Sequence, residues 1–181
     1  MQWLAEQPAS IGLRESLYLW PLIESTHVLT LALFVGTTAM MDLRLLGVSF
    51  GGVPTSAFTE RLLPWTRAAF ALMAVTGLLL FYATPVRNYQ NIFFRIKVVL
   101  LVAAGLNVFL FHSRIHQRVA EWDLDAVPPR AARIAAVVSL TVWACVVVAG
   151  RMMAYNWFDC DMQPQSALVN WAAGCVVPPT E

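Results

Sequence analysis

Four long stretches of this chain contain no acidic residue, lysine or arginine, and they constrain its fold more than any other feature. Two histidines, His27 and His112, lie within them. Extended by a few residues at its ends, each stretch reaches the roughly 20 residues that a helix needs to cross about 30 Å of hydrocarbon. We therefore predict an all-α integral membrane protein, a bundle of four transmembrane helices. The charge-free stretches are 25–41, 68–86, 98–113 and 134–150, and the predicted helices are 17–46, 62–82, 92–117 and 130–158.

The composition excludes the other classes of protein. Hydrophobic residues make up 59% of the 181 positions and charged residues 13%, against about 25% charged residues in a soluble domain. So apolar a chain cannot be a soluble globule or a disordered coil. The net charge of +1 gives no electrostatic reason to expect a nucleic acid as a partner. The stretches also lack the two-residue alternation of barrel strands, so helices in a lipid bilayer remain.

The organisation along the chain follows from these spans. Residues 1–16 are predicted to form a short interfacial segment, residues 17–158 the transmembrane bundle, and residues 159–181 an external tail. The loops joining helices 1–2 and 3–4 hold seven arginines, against five arginines and lysines on the other side. This bias predicts a multi-pass protein of the bacterial inner membrane with both termini in the periplasm.

The cysteines agree with an external tail. Cys160 and Cys175 both lie in the tail, where an oxidising compartment would let them form a disulfide. Closing a loop of this length would stabilise the tail by roughly 3 kcal/mol. Cys145, within the fourth helix, is most simply interpreted as a small buried hydrophobic residue.

The first helix carries ionisable residues at membrane depth. Glu24, His27 and Asp42 fall within an arc of roughly 60° on a helical projection, so we expect their face to turn towards the other helices. Such residues are costly in a bilayer and mark functional sites. The alternative for the two carboxylates is ion pairing: Glu24 with Arg95, Lys97 or Arg151, and Asp42 with Arg44 or Arg67.

The third helix supplies the other two histidines. His112 and His116 are four residues apart on one helical face, a spacing that can chelate a metal. The alternative is that both are solvated residues at the membrane interface. Arg95 and Arg151 are candidates to hold an anionic group such as a haem propionate, and Arg151 is also placed to extend to the interface. Asn107 is expected to form a hydrogen bond between helices.

A haem bound by two histidines inside the bundle is the obvious hypothesis, and depth argues against its simplest form. From their positions along parallel helices, His27 lies about 15 Å and His112 about 30 Å from the same surface. One iron cannot easily bind both side chains across that gap. A haem would then use one histidine with another ligand, such as one of five methionines, or each half of the bundle would hold its own haem. The methionines are Met40, Met41, Met73, Met152 and Met153.

Two stretches of sequence resemble known families. Residues 27–36 (HVLTLALFVG) and 41–47 (MDLRLLG) are similar to the first helix of uncharacterised bacterial four-helix membrane families. Residues 95–107 of the third predicted helix, from Arg-Ile-Lys to Gly-Leu-Asn, resemble the Lys…Asn helix of the copper resistance D domain, which is grouped with cytochrome b561-type haem bundles. The resemblance implies a four-helix membrane module that binds haem b or handles copper, and His27 is the residue that carries over best.

Three functional hypotheses follow. The first is a membrane subunit like a b-type cytochrome, which passes electrons between a partner protein and the quinone pool as part of an oxidoreductase. In this hypothesis His27 is an axial ligand of a haem or a partner of a quinone. The expected cofactors are haem b and quinone. The second is a copper-handling or transport protein, and the third is a cofactor-free anchor for a larger complex. Besides the lipid bilayer, the expected partners are other subunits of a membrane complex or further copies of the chain.

Overall fold

The computed structural model describes residues 1–155, 157–158 and 160–175, and it leaves the side chain of His116 undescribed. Over these residues the chain is helical, with no strand. A π-helix, Phe111–Ile115, and a 3-10 helix, His116–Glu121, follow α6. The α-helices are α1 (Gln2–Ala5), α2 (Pro8–Glu15), α3 (Leu19–Leu46), α4 (Thr55–Ala83), α5 (Pro85–Tyr89), α6 (Ile92–Leu110), α7 (Arg130–Met152) and α8 (Ala167–Ala173).

Four helices of the described chain are long and apolar enough to cross a membrane. They are α3, α4, α7, and α6 together with the π-helix that continues it to Ile115. They coincide with the charge-free stretches of the sequence, so the predicted class, an all-α protein with four membrane-spanning helices, is confirmed.

The ends of the helices differ from the prediction, because absence of charge marks the hydrocarbon layer and not the helical turns beyond it. α4 begins at Thr55 instead of residue 62, so Glu60 is helical and exposed, and the helix continues through Pro64. α6 ends at Leu110, before the π-helix, and α7 ends at Met152 instead of residue 158.

Neighbouring spans pack along each other on three of the four sides of the bundle. α4 packs along α3, α3 along α7, and α7 along α6. In the middle of the bundle the rings of Phe34 and Trp143 meet edge to face, 4.6 Å between centroids. In contrast, α4 and α6 do not pack along each other; near one end, Phe81 and Phe94 stack with centroids 5.3 Å apart. The bundle is therefore open on the side between α4 and α6.

One end of the bundle, which we call the loop end, is organised by Arg44 in the last turn of α3. This residue is only 1% exposed. Its Nε donates to the carbonyl of Val53 (2.9 Å), and its Nη2 donates to the carbonyls of Asp123 (3.4 Å) and Asp125 (3.2 Å). One buried guanidinium thereby ties the loop after α3 to the loop before α7. The helices α6 and α7 are linked nearby through Asn107, whose Nδ2 donates to the Ala135 carbonyl (3.0 Å), as expected.

At the opposite end, which we call the terminal end, the N-terminal helices and the tail pack against the bundle. Ser10 of α2 is buried and its hydroxyl donates to the carbonyl of Tyr82 in α4 (2.9 Å), so residues 1–16 are anchored on the bundle as two short helices. A disulfide joins Cys160 and Cys175 in the tail. Cys145, expected to be buried, is exposed on α7.

Candidate functional site

The imidazole of His27 is held between α3 and α4. Its Nδ1 lies 3.0 Å from Oγ1 of Thr76 on α4. A Cβ atom added at Gly77 would lie 3.0 Å from Cε1 of the ring, so a side chain at this position would press on the imidazole. A threonine to bind the ring and a glycine to make room for it therefore stand side by side in the sequence.

The hydrogen bonds of Thr76 indicate which nitrogen of His27 carries the proton. The Thr76 hydroxyl donates to the carbonyl of Leu72 (2.8 Å), one turn earlier in α4. A hydroxyl has a single proton, and with that proton on a backbone carbonyl Oγ1 of Thr76 accepts a hydrogen bond from Nδ1–H of His27. This arrangement favours the neutral ring with Nε2 unprotonated, and the ring also interacts with the backbone of Met73.

Lys97, near the start of α6, brings a positive charge to the same level of the bundle. It interacts electrostatically with His27. Its Nζ lies against α7, 3.8 Å from the position of a Cβ at Gly150. The side chain is half-buried, and no ion pair or hydrogen bond binds it in the part of the chain that the structure describes. We call this group, with residues from all four spans, the polar layer: His27, Thr76, Gly77, Lys97 and Gly150.

The polar layer combines two complementary groups in one place. Nε2 of His27 can accept a hydrogen bond, and the ammonium of Lys97 can donate up to three. Both side chains are half-buried. Lys97 lies on α6 and Gly77 on α4, the two helices that border the open side of the bundle. The arrangement can therefore hold a polar headgroup that both accepts and donates hydrogen bonds and that arrives from the bilayer.

The polar layer and the four spans lie within residues 17–156, which match the model of one protein family. The chain belongs to the DUF6644 family, a family of unknown function. Comparisons with curated proteins and with solved structures found no match. Membership of the DUF6644 family neither supports nor conflicts with the resemblance to the copper resistance D domain and to cytochrome b561.

The polar layer of this DUF6644 protein offers one histidine to a haem iron, because a ligating imidazole commonly donates its other N–H to an oxygen. His112 cannot be the second ligand. It is exposed in the π-helix, fifteen residues beyond Lys97 and thus about 22 Å further along the span. In the described residues no group of three or more His, Cys, Asp or Glu side chains suits a metal ion. The side chain of His116 lies outside the described part.

The two arginines predicted to hold a propionate have other partners. Nη1 of Arg95 donates to the carbonyl of Ala172 in α8 (2.8 Å), and its Nε donates to the carbonyl of Tyr89 (3.0 Å), so Arg95 docks the tail on the bundle. Arg151 is exposed and lies over the ring of Tyr155, whose hydroxyl accepts from its Nη2 (3.2 Å). Arg151 thus extends to the surface at the terminal end.

Of the two carboxylates of α3, only Asp42 turns inward as His27 does. Glu24 is exposed, whereas Asp42 is 6% exposed and contacts Ser139 of α7. Neither forms one of the expected ion pairs within the described chain. Asp42 does not meet Arg44, because that guanidinium turns to backbone carbonyls of the loops. The expected pairing was therefore wrong for both carboxylates.

Sequence reasoning missed most partners of His27. The sequence suggested Lys97 only as an ion-pair partner for Glu24, and it gave no sign of a role for Thr76 or Gly77. A depth comparison would have found Lys97, since His27 is about 12 Å from the start of α3 and Lys97 about 8 Å from the start of the parallel α6. Thr76 and Gly77 lie in an otherwise apolar stretch, where no local pattern distinguishes them from packing residues.

Proposed function

We propose that this protein is a membrane subunit that binds the headgroup of a quinone in the polar layer and serves electron transfer between a partner redox protein and the quinone pool. The observation that carries the proposal is the hydrogen bond between His27 and Thr76, which favours Nε2 as an acceptor, together with the electrostatic interaction of the same ring with Lys97. Further subunits, or further copies of the chain, belong to the proposal as the source or recipient of electrons.

The chemistry of a quinone suits these two groups. A quinone has carbonyl oxygens, which accept hydrogen bonds, and the quinol formed from it by two electrons and two protons has hydroxyl groups, which donate them. Lys97 would donate to a carbonyl oxygen of the quinone, and Nε2 of His27 would accept from a hydroxyl of the quinol. In this proposal the electrons come from the partner redox protein.

The route of entry also supports a lipid-soluble ligand. The side between α4 and α6 is open. In the most apolar 18-residue segment of each span, only 6% of the α6 segment is buried inside the protein, against 28% of the α4 segment. An apolar molecule can therefore reach the polar layer laterally from the bilayer. We place the terminal end in the periplasm and the protein in the bacterial inner membrane, following the distribution of arginine and the disulfide of the tail.

The test is equilibrium binding of a short-chain quinone to the full chain in lipid nanodiscs, followed by quenching of tryptophan fluorescence. We expect saturable binding that Lys97→Met and His27→Ala each weaken about tenfold or more, because a hydrogen bond to a charged group contributes roughly 1.5–3 kcal/mol. His112→Ala is the matched control and should bind like the unchanged protein. Absence of saturable binding, or equal loss in the control, would refute the proposal.

Two further measurements on the same sample distinguish the other hypotheses. A reduced-minus-oxidised visible spectrum with the bands of a b-type haem, lost in His27→Ala, would support the haem. Stoichiometric copper in elemental analysis would support copper handling. If quinone, haem and copper are all absent, the cofactor-free anchor is the hypothesis that stands.

A further inference from the structure

Asp42 is a buried carboxyl in a membrane-spanning helix, and no charged group neutralises it within the described chain. The residue is 6% exposed, and its one hydrogen-bond partner is the side chain of Ser139 on α7. Its Oδ2 is buried and has no partner among the described residues. An ionised carboxylate in such surroundings is far more costly than a neutral carboxyl group.

The charged residues of the neighbouring elements do not compensate Asp42. Arg44, on the same helix, binds backbone carbonyls of the two loops. No ion pair with Asp42 forms in the part of the chain that the structure describes. The other charged or titratable residues near this end are Glu60, Arg61 and Arg67 on α4, Arg130 and Arg133 on α7, His112 and Arg114 on the π-helix, Arg118 and Glu121 on the 3-10 helix, and Asp123 and Asp125 in the loop before α7.

The hydroxyl groups around Asp42 suit a proton better than a metal ion. Thr38 lies one turn earlier on the same face of α3, and its buried Oγ1 also has no partner among the described residues. Ca²⁺ and Mg²⁺ take six or more oxygen ligands, whereas Asp42, Ser139 and Thr38 provide few. A proton on Oδ2 removes the charge of the carboxylate, so that no ionised oxygen is left without a partner in the buried site.

We propose that Asp42 is a proton-binding site, with the proton held on the buried Oδ2 and the carboxyl group bound by Ser139. The site exchanges its proton at the loop end, because Asp42 is four residues, or about 6 Å, from the end of α3. The site is separated from the polar layer by the apolar core around Phe34 and Trp143, so the proposal does not depend on quinone binding.

Infrared spectroscopy of the full chain in lipid tests this site. We expect the carbonyl stretching band of a protonated carboxyl group near neutral pH, which disappears at higher pH and is missing in Asp42→Asn. Glu24→Gln is the matched control, because it removes an exposed carboxyl from the same helix, and it should keep the band. A spectrum in which Asp42→Asn removes no such band at any pH would overturn the proposal.

A second variant covers the case in which Asp42→Asn does not fold. Ser139→Ala keeps the carboxyl group but removes its hydrogen bond, so the band should persist and move in frequency. A band that does not move in Ser139→Ala would belong to another carboxyl group and would also overturn the assignment.

Discussion

The carboxylate of Asp123 binds Ser56 twice: Oδ1 accepts from the backbone N–H (2.7 Å) and Oδ2 from the side-chain hydroxyl (2.7 Å). Ser56 lies in the first turn of α4, and Asp123 lies in the loop before α7. The first N–H groups of a helix have no partner within the helix, so a residue from a distant loop caps α4. These hydrogen bonds, first from the Ser56 hydroxyl and then from its backbone, lower the pKa of Asp123.

The cap predicts a pH-dependent stability at the loop end. Because the pKa of Asp123 is lower in the folded protein, its contribution is complete above the ordinary pKa of about 4 and is lost as the pH falls through the folded value. Asp123→Asn should reduce stability by about 1 kcal/mol at neutral pH and flatten the acid side of the profile. Thermal unfolding in detergent across pH measures this. Asp125→Asn is the control, and an equal effect there would contradict the cap.

Arg44 should be the most sensitive charged residue of the loop end. Arg44→Met leaves three loop carbonyls without their donor, and we expect a loss of about 2–4 kcal/mol in the free energy of unfolding. Arg44→Lys should restore little of it, because an ammonium cannot reproduce the fork of a guanidinium. Denaturant unfolding in mixed micelles gives the values. The exposed Arg67→Met serves as the comparison; a loss there as large as in Arg44→Met would show that only charge matters.

Gly77→Ala tests the room that the polar layer leaves for His27. The new Cβ would lie 3.0 Å from Cε1 and would displace the imidazole from Thr76. We expect quinone affinity to fall about tenfold, a change of 1.4 kcal/mol. Gly36→Ala adds the same methyl group to α3 where nothing lies within 4 Å, so it should leave affinity unchanged. Equal affinities of the two variants would mean that the position of the ring does not matter.

The disulfide should hold the tail on the terminal end of the bundle. Cys160→Ser opens a disulfide loop with a sequence separation of 15. Closing a loop of this length stabilises the folded segment by roughly 3 kcal/mol. We expect faster amide hydrogen exchange in α8, while exchange in the four spans stays unchanged. Arg95→Ala should act in the same direction, because it removes the donor to the Ala172 carbonyl. Unchanged exchange in α8 in both variants would contradict this docking.

The spans and the choice of His27 followed from the sequence, and the contacts that give these residues their roles did not. Absence of charge is a local property, so α3, α4, α6 and α7 were located from it. Arg44 binds the loops that follow α3 and precede α7, and Asp123 binds the first turn of α4; no local pattern indicates such contacts. The sequence suggested an ion pair of Arg44 with Asp42, but in the fold Arg44 and Asp123 both bind backbone groups that the ends of helices and loops leave without partners.

The open side between α4 and α6 has a mechanical consequence. The chain forms two helical hairpins, α3–α4 and α6–α7, which meet along α3 and α7 and are tied at the loop end by Arg44. The same hairpins are also joined at the terminal end, where α5 connects α4 to α6 and Phe81 stacks on Phe94, so a tilt of one hairpin against the other is limited at both ends. His27 and Lys97 belong to different hairpins, so such a tilt changes the distance between them.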